Sequence, residues 1–217
     1  DRRRAEERIT HLTYYDDLTQ LPNRVLLTDR LPQAMAQAQR DQQKLAVCYL
    51  DLDNFKPIND RLGPVEGDRV LVEVAHRLKA CVRAGDTVAR LGGDEFVLLL
   101  GDLVNVEECE RALDRVLTAL HEPLPAAGQS LALTASLGVT LYPDDAADPD
   151  ALLRHTDQVM YAAKQAGGHR YHWFDADHDR RARAHRELLQ RVETGLAAGE
   201  FRLYYQPKVD MRTGAVI

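Results

Sequence analysis

The sequence lacks the features that mark a membrane span, a disulfide framework or a nucleic-acid binder. Its 217 residues contain one tryptophan and three cysteines, and the cysteines show no CxxC spacing, which is typical of reduced thiols in the cytoplasm. No apolar run approaches the roughly 20 residues that a membrane-spanning helix needs, and no signal peptide is present. Its net charge is −6, with 28 basic residues interspersed among 34 acidic ones, which argues against a general grip on phosphate backbones. Eight histidines form no HExxH pattern, so a zinc site is not indicated.

The length predicts one well-buried domain of about 150 to 170 residues with flanking segments. The first segment, residues 1–15, is charged, and its Ala5, Ile9 and Leu12 are spaced four and three apart. That spacing fits one strand of a short coiled coil, and it also fits a solvated helix. The chain does not begin with Met, so we expect a piece of a longer protein, and a membrane anchor elsewhere in the parent stays open.

Two short apolar strands joined by Gly92 and Gly93 form the centre of the sequence. A Gly-Gly pair is typical of a tight hairpin turn with positive φ. Asp94 and Glu95 follow the turn directly, ahead of an apolar run that must be buried. Two carboxylates on a rigid tip repel each other unless a cation holds them. For residues 92–96 taken alone, a solvent-exposed hairpin whose acidic side chains bind nothing is an equally good interpretation.

A second acidic position lies upstream, where the apolar run 45–50 ends at Asp51 and Asp53. A nearly continuous apolar run predicts a strand buried on both faces, and ligand sites favour the ends of such strands. Asp51 together with Asp94 or Glu95 would supply two or three hard oxygen ligands. Mg²⁺ accepts such a set while it keeps water and substrate phosphates at its other positions. The sequence therefore predicts a nucleotide site where this strand end meets the hairpin.

The remaining apolar periodicity predicts helices that alternate with strands. We expect helices from Pro22 to about 43, at about 55–62, 68–82 and 106–120, and from 148 to near 167, with strand material at 131–141 and 171–174. Pro32 lies inside the first helix, so that helix either kinks or divides there. Helices that cross between strands of a sheet containing a hairpin predict a mixed α/β layer fold.

Six motifs occur in the order and spacing of one known family. They are DLTQLPNR at 17–24, DLDNFK at 51–56, ND at 59–60, GD at 67–68, RLGGDEF at 90–96 and SLGV at 136–139. Over roughly residues 16–175 the chain resembles the GGDEF-domain diguanylate cyclases. The resemblance implies a ferredoxin-like palm, similar to that of class III nucleotide cyclases, in which helices flank a mixed central sheet.

The resemblance also implies a reaction, in which two GTP molecules condense to cyclic di-GMP with loss of two pyrophosphates. Such displacements need charge neutralisation and positioning more than covalent help, and Mg²⁺ or Mn²⁺ is the implied cofactor. Each domain would carry one GTP, so the product would form between the two copies of a homodimer. We expect this to take place in the cytoplasm, with cyclic di-GMP also acting as an inhibitor.

Individual roles follow from the matched motifs. The resemblance implies Asp51, Asp94 and the Leu52 carbonyl as metal ligands, and Glu95 as a further ligand or proton acceptor. The other implied contacts are Lys56 to developing phosphate charge, Asn59 and Asp68 to guanine, Lys164 to the terminal phosphates, and the RxxD pair Arg83 and Asp86 to inhibitory cyclic di-GMP. Plainer interpretations stay open: Lys56 as a solvated lysine, Asp68 as a helix N-cap, and RxxD as a chance match at a helix end.

Three positions depart from the family pattern. Gly168 stands where an arginine usually follows Lys164 by four residues, Pro64 replaces a common histidine, and Gln20 replaces a common glycine. None of the three is an implied metal ligand or base reader. We therefore expect weakened rather than abolished turnover, with one phosphate contact missing unless Arg170 replaces it.

The last segment, residues 176–217, changes in composition to Arg, His, Glu and Leu. A helical stretch at 187–198 and an alternating run at 200–209 resemble the opening of an EAL phosphodiesterase domain, without that domain's metal ligands. By the same resemblance, residues 1–15 would connect to an upstream sensor. Two alternatives therefore stay open: a catalytically weak module that binds GTP or cyclic di-GMP and regulates an attached EAL phosphodiesterase, and a cyclase with a mononucleotide product.

Overall fold

The computed structural model describes residues 11–126 and 129–175, together with isolated positions between 191 and 212. It divides into two compact units, Asp1–Phe174 and Asp175–Ile217, and all the elements named below belong to the first. Most of the residues in the expected N-terminal helix, in the helix at 187–198 and in the strand at 200–209 lie outside the described residues. None of the helices in the described part is long and apolar enough to cross a bilayer.

Five helices and seven strands of the first unit lie wholly within the described residues, and residues 11–14 are also helical. The helices are α1 (Arg24–Asp41), α2 (Phe55–Leu62), α3 (Pro64–Cys81), α4 (Val106–His121) and α5 (Pro149–Gln165). The strands are β1 (Lys44–Leu52), β2 (Thr87–Gly92), β3 (Glu95–Leu103), β4 (Leu124–Ala126), β5 (Gln129–Leu131), β6 (Ala135–Tyr142) and β7 (Arg170–Trp173). The elements predicted between residues 22 and 174 are present, with ends shifted by a few residues.

Five of the strands form the central sheet in the order β2-β3-β1-β6-β7. β1 lies in the middle and is antiparallel to both β3 and β6, whereas β7 is parallel to β6. β4 and β5 form a separate two-stranded hairpin. The mixed α/β sheet predicted from the sequence is confirmed, and the order β2-β3-β1-β6 within it is the ferredoxin-like arrangement that the resemblance implied.

The sheet is covered on both faces, so its central strands are apolar on both. On one face Cys48, Leu50 and Phe96 pack in a core with α3 and α4. On the other face Val47 and Tyr49 pack in a core with α1 and α5. Alternate residues of β1 serve the two cores, which confirms the prediction of a strand buried on both sides. The strand end that carries Asp51 is therefore rigid.

The helix boundaries correct two expectations. α1 is one helix that contains Pro32, so it does not divide, and it begins after Asn23, whose side chain accepts hydrogen bonds from the second and third backbone amides beyond it. α3 begins at Pro64, not at Asp68, because Gly63 with φ +86° ends α2 and a proline suits the first helical position. Asp68 lies inside α3, so its interpretation as a helix N-cap is wrong.

α5 is placed against the sheet by a close approach at Gly138. A Cβ at Gly138 would lie 1.8 Å from the Thr156 carbonyl oxygen and 2.5 Å from the Met160 amide nitrogen. Only a glycine in β6 therefore lets α5 pack at this distance. As predicted, the helix begins at Pro149, and the Asp148 side chain caps it by accepting a hydrogen bond from the Ala151 amide at 2.8 Å.

Candidate active site

The end of β1 meets the glycine turn as the sequence predicted. In the sheet register Asp51 lies opposite Glu95 of β3 and Ser136 of β6. The Leu52 amide donates a hydrogen bond to the Asp94 carbonyl oxygen at 3.3 Å. Gly92 and Gly93 have φ of +144° and +53°, which confirms the positive φ expected of the turn. The backbone therefore brings the three acidic residues to one corner of the sheet.

The electrostatics of this corner disfavour a bare carboxylate at Asp51. Burial is the largest cause, and together with the charges of Asp94 and Glu95 it raises the pKa of Asp51 to about 6, although Lys164 acts in the opposite direction. Only 12% of the Asp51 side chain is exposed. A carboxyl group with a raised pKa inside a cluster of like charges is a common mark of a functional site.

Lys164, in the last turn of α5, contacts this carboxylate directly. Its ammonium nitrogen lies 2.5 Å from Oδ1 of Asp51. The contact is a close ion pair, and the hydrogen bond and the charge of Lys164 both act to lower the pKa of Asp51 against the effect of burial. The sequence placed Lys164 near phosphates but did not foresee that it would reach Asp51, since β1 and α5 are far apart along the chain.

The donor set fits a divalent cation that is only partly held by protein. The buried carboxylate of Asp51, which lies near the charges of Asp94 and Glu95, supplies the hard oxygen ligands that Mg²⁺ and Mn²⁺ prefer. Among the described residues no three His, Cys, Asp or Glu side chains form a group that could hold a metal by themselves. The remaining positions would therefore fall to the Leu52 carbonyl, water and substrate phosphates, as is usual for Mg²⁺ at phosphate-transfer sites.

The glycine turn is held by an arginine that the sequence reasoning did not assign. Nε and Nη2 of Arg90 donate to the Gly93 carbonyl oxygen at 3.0 and 2.8 Å, and Nη1 donates to Oδ1 of Asp16 at 2.8 Å. Burial alone would raise the pKa of Asp16, but hydrogen bonds from Thr19 and Arg90 outweigh it and lower this pKa below its ordinary value. A buried arginine just before a Gly-Gly pair is the sequence signal that could have pointed to this role.

Tyr49 lies near Glu95, the second acidic residue after the Gly-Gly pair. It lies two positions before Asp51 on the same face of β1, near enough to Glu95 for that carboxylate to act on its hydroxyl. Burial, and then the nearby charge of Glu95, raise the pKa of Tyr49, so the hydroxyl stays protonated. Because side chains two residues apart on a strand share a face, the sequence could have predicted that Tyr49 lies on the same face of β1 as Asp51.

The residues implied in guanine binding lie at the corner between α2 and α3. Gly67 is buried against Asn59, and a Cβ at this position would lie 1.9 Å from the Asn59 side-chain oxygen. Asp68 follows immediately and is exposed, as is Lys56 in the first turn of α2. α2 begins two residues after β1, so its first turn, with Lys56, follows the strand end that carries Asp51, and Asn59 lies about one turn further along the helix.

The RxxD pair lies away from this corner, at the turn between α3 and β2. Oδ2 of Asp86 accepts a hydrogen bond from the Arg83 amide at 2.8 Å, and Oδ1 accepts one from the Gly101 amide at 3.0 Å. Gly101 lies near the far end of β3 from Glu95. A cavity of about 480 Å³, lined in part by Arg83 and Lys79, opens beside this turn. The arrangement separates the turn from the acidic corner by the length of β3.

Comparison with known proteins agrees with this geometry. The family described as diguanylate cyclase, GGDEF domain, matches residues 13–170. The chain is 39% identical over 214 residues to MucR of Pseudomonas aeruginosa, a bifunctional diguanylate cyclase and cyclic di-GMP phosphodiesterase, covering 99% of this chain and 31% of MucR. It is 34% identical over 212 residues to PdeR of Escherichia coli, a cyclic di-GMP phosphodiesterase, covering 98% of this chain and 32% of PdeR.

A solved structure shows the same fold. The isolated GGDEF domain of TpbB from P. aeruginosa is similar with a TM-score of 0.73 and 38% identity, covering 78% of this chain and 99% of that domain. The chain belongs to the GGDEF family. It spans about a third of the length of MucR and PdeR.

Proposed function

We propose that this chain is a diguanylate cyclase domain that condenses two GTP molecules into cyclic di-GMP and two pyrophosphates. The observation that carries the proposal is the buried Asp51 carboxylate, whose pKa is raised to about 6 where β1 meets the glycine turn with Asp94 and Glu95. Such a carboxylate is costly to keep ionised, and the Lys164 ammonium offsets only part of that cost, because the pKa stays raised. A divalent cation that also binds nucleotide phosphates would offset the rest.

The proposed roles divide along the corner of the sheet. Asp51, Asp94 and the Leu52 carbonyl would hold a divalent cation, with Glu95 as a further ligand or as the acceptor of the proton from the attacking 3′-hydroxyl. When bound, the cation neutralises charge on the phosphates. Lys164 lies within reach of the same space, since its ammonium is 2.5 Å from Asp51. We expect the Lys164 ammonium to contact both Asp51 and the terminal phosphates once nucleotide binds. The exposed Lys56 would bind the phosphate charge that develops during the reaction.

Guanine would be read at the α2–α3 corner. A carboxylate accepts two hydrogen bonds from guanine N1 and N2, and an amide can supplement it, so Asp68 and Asn59 suit this base. Adenine would leave these groups unpaired, and because Asp68 is exposed the cost is expected at the lower end of the 1 to 3 kcal/mol range, on the order of 1 kcal/mol. The close approach of Gly67 supports this role because it fixes the Asn59 side chain beside Asp68.

Assembly and inhibition complete the proposal. One domain holds one GTP, so the two reacting nucleotides are brought together by a homodimer. Arg83 and Asp86 would bind the product at a turn remote from the acidic corner and so hold the two sites apart. The turn is suited to this because both oxygens of Asp86 are already oriented by backbone amides.

The direct test is incubation with GTP and Mg²⁺, followed by chromatographic separation of the nucleotides and a pyrophosphate assay. We expect cyclic di-GMP and two pyrophosphates per product, a specific activity that rises with protein concentration, and slower turnover of ATP than of GTP. Asp94→Asn should abolish the product, whereas the matched control Asp114→Asn, at an exposed position of α4, should not. Cyclic GMP as the product, or activity strictly first order in protein, would contradict the proposal.

A second candidate is a catalytically weak domain that binds GTP or cyclic di-GMP and regulates an attached EAL phosphodiesterase. Gly168, in place of a phosphate-binding arginine, and the similarity to PdeR favour it. Unchanged GTP in the assay above, together with tight binding of GTP by calorimetry, would support this candidate instead. Calorimetry with cyclic di-GMP tests the inhibitory site in either case: Arg83→Ala should weaken binding, and unchanged affinity would count against the RxxD role.

A further inference from the structure

The turn that follows α5 is tied to Asp53, the second acid after β1. Oδ2 of Asp53 accepts a hydrogen bond from the His169 backbone amide at 2.9 Å, and Oδ1 accepts one from the Ser136 hydroxyl at 2.6 Å. Its own amide donates to the Thr134 carbonyl oxygen at 2.8 Å. Both carboxylate oxygens are therefore engaged, one by β6 and one by the turn.

Gly168 fits this arrangement because it has no side chain. It is buried with φ +70°, and a Cβ there would lie 2.7 Å from Oδ2 of Asp53 and 2.9 Å from its Cγ. Contacts this short force the carboxylate to move. Because that carboxylate is bound on both sides, it can move only by breaking the hydrogen bond to Ser136 or to His169. A side chain at position 168 is also strained by the left-handed backbone.

The same turn ends the helix that presents Lys164. The Gly167 amide donates to the Lys164 carbonyl oxygen at 3.1 Å, and the Gly168 amide donates to the Ala163 carbonyl oxygen at 3.1 Å. The Lys164 ammonium reaches Asp51, two residues before Asp53. The two acids that close β1 thus have different tasks: Asp51 faces the cations of the site, and Asp53 holds the backbone of the turn after the lysine.

We propose that Asp53 is a positioning residue that locks the turn 167–169 and thereby sets Lys164 in the site, and that Gly168 is the residue that permits this lock. The inference rests on the proposed function for its catalytic meaning. It reverses the expectation that Gly168 is simply a missing phosphate contact. Arg170 is part of the same turn, since its Nε donates to the Gly168 carbonyl oxygen at 3.0 Å.

The test is to restore the family's arginine with Gly168→Arg. If the missing contact were the whole effect, this variant would bind GTP more tightly. We expect the opposite: a KM for GTP raised on the order of tenfold, with a smaller change in kcat, and exchange of the His169 amide hydrogen faster by about tenfold or more. The Leu98 amide in the core of β3 should keep its slow exchange, which separates a released turn from global unfolding. Ala166→Arg, at an exposed position two residues earlier, adds the same charge without reaching Asp53 and serves as the matched control.

The link to Asp53 is tested by a double-mutant cycle. Asp53→Ala should speed exchange at His169 by itself, and in that background Gly168→Arg should add only the smaller effect of backbone strain, because the carboxylate it displaces is gone. Fully additive effects, or tighter GTP binding by Gly168→Arg with unchanged exchange at His169, would overturn the inference. Exchange at His169 needs no turnover, so a wild-type chain without cyclase activity that shows the expected cycle supports the lock and contradicts only the proposed function.

Discussion

Asp51→Asn is expected to stabilise the fold at neutral pH, although it removes the side chain on which the proposed chemistry depends. The wild-type carboxylate is buried, lies near Asp94 and Glu95, and has a pKa raised to about 6. A neutral amide of the same shape avoids the cost of ionisation. Its NH₂ group can also donate to the neighbouring carboxylates. Function and stability are therefore opposed at this position.

The size of the effect follows from the pKa. Raising it from 3.8 to about 6 corresponds to about 3 kcal/mol of free energy against the ionised form. This figure already includes the opposing effect of Lys164, and solvent screening reduces it. We expect Asp51→Asn to raise the free energy of unfolding by about 1 to 2 kcal/mol at pH 8 in the absence of divalent cations.

The raised pKa of Asp51 predicts how the stability difference between Asp51→Asn and wild type depends on pH. The folded carboxyl group binds its proton more tightly than the unfolded one, so wild-type stability falls as the pH rises from about 4 to about 6 and is level above that. Urea unfolding followed by circular dichroism at pH 4 and pH 8, with chelator present, should show the variant equal to wild type at the lower pH and more stable at the higher. Asp114→Asn should show no such difference. A destabilised variant at pH 8, or the same gap at both pH values, would refute the reasoning.

Three further predictions concern the supports of the site. Gly67→Ala should weaken GTP binding by about tenfold in calorimetry with little change in unfolding, because a Cβ would lie 1.9 Å from the Asn59 oxygen; unchanged affinity would argue against Asn59 as a contact. Arg90→Ala should lower the free energy of unfolding by about 2 to 4 kcal/mol, because it leaves the Gly93 carbonyl and the partly buried Asp16 without their partner; a loss below about 1 kcal/mol in urea unfolding would count against this. The lowered pKa of Asp16 means that its contribution is complete above about pH 4 and is lost as the pH falls through the folded value, so Asp16→Asn should flatten acid unfolding, and an unchanged acid limb would contradict it.

The features that could be predicted from the sequence are those that depend on a short local pattern of residue types. A nearly continuous apolar run that ends at Asp51 indicates a buried strand and its end, and a Gly-Gly pair before two acids indicates the hairpin that meets it. Because both elements belong to one sheet, their meeting could be expected. Gly63 and Pro64 also indicated the start of α3. The helix was instead predicted to begin at Asp68, because aspartate is a common N-cap residue.

The features that escaped prediction depend on contacts between distant parts of the chain. The ion pair of Lys164 with Asp51, and the hydrogen bond of Asp53 with His169, join β1 to a turn more than a hundred residues away. No local pattern encodes which of two neighbouring acids faces a cation and which faces a backbone amide. The meaning of Gly168 likewise became visible only when its missing Cβ was found to face Asp53.

The central claim is that Asp51 and the acids of the glycine turn share a divalent cation with GTP. Anomalous diffraction from crystals grown with Mn²⁺ and 3′-deoxy-GTP, which cannot react, tests it most directly. We predict a manganese peak at roughly 2.0 to 2.3 Å from a carboxylate oxygen of Asp51 and from one of Asp94, with triphosphate oxygens in the same coordination sphere. A nucleotide bound without metal at this corner, or a metal that contacts neither carboxylate, would contradict the account.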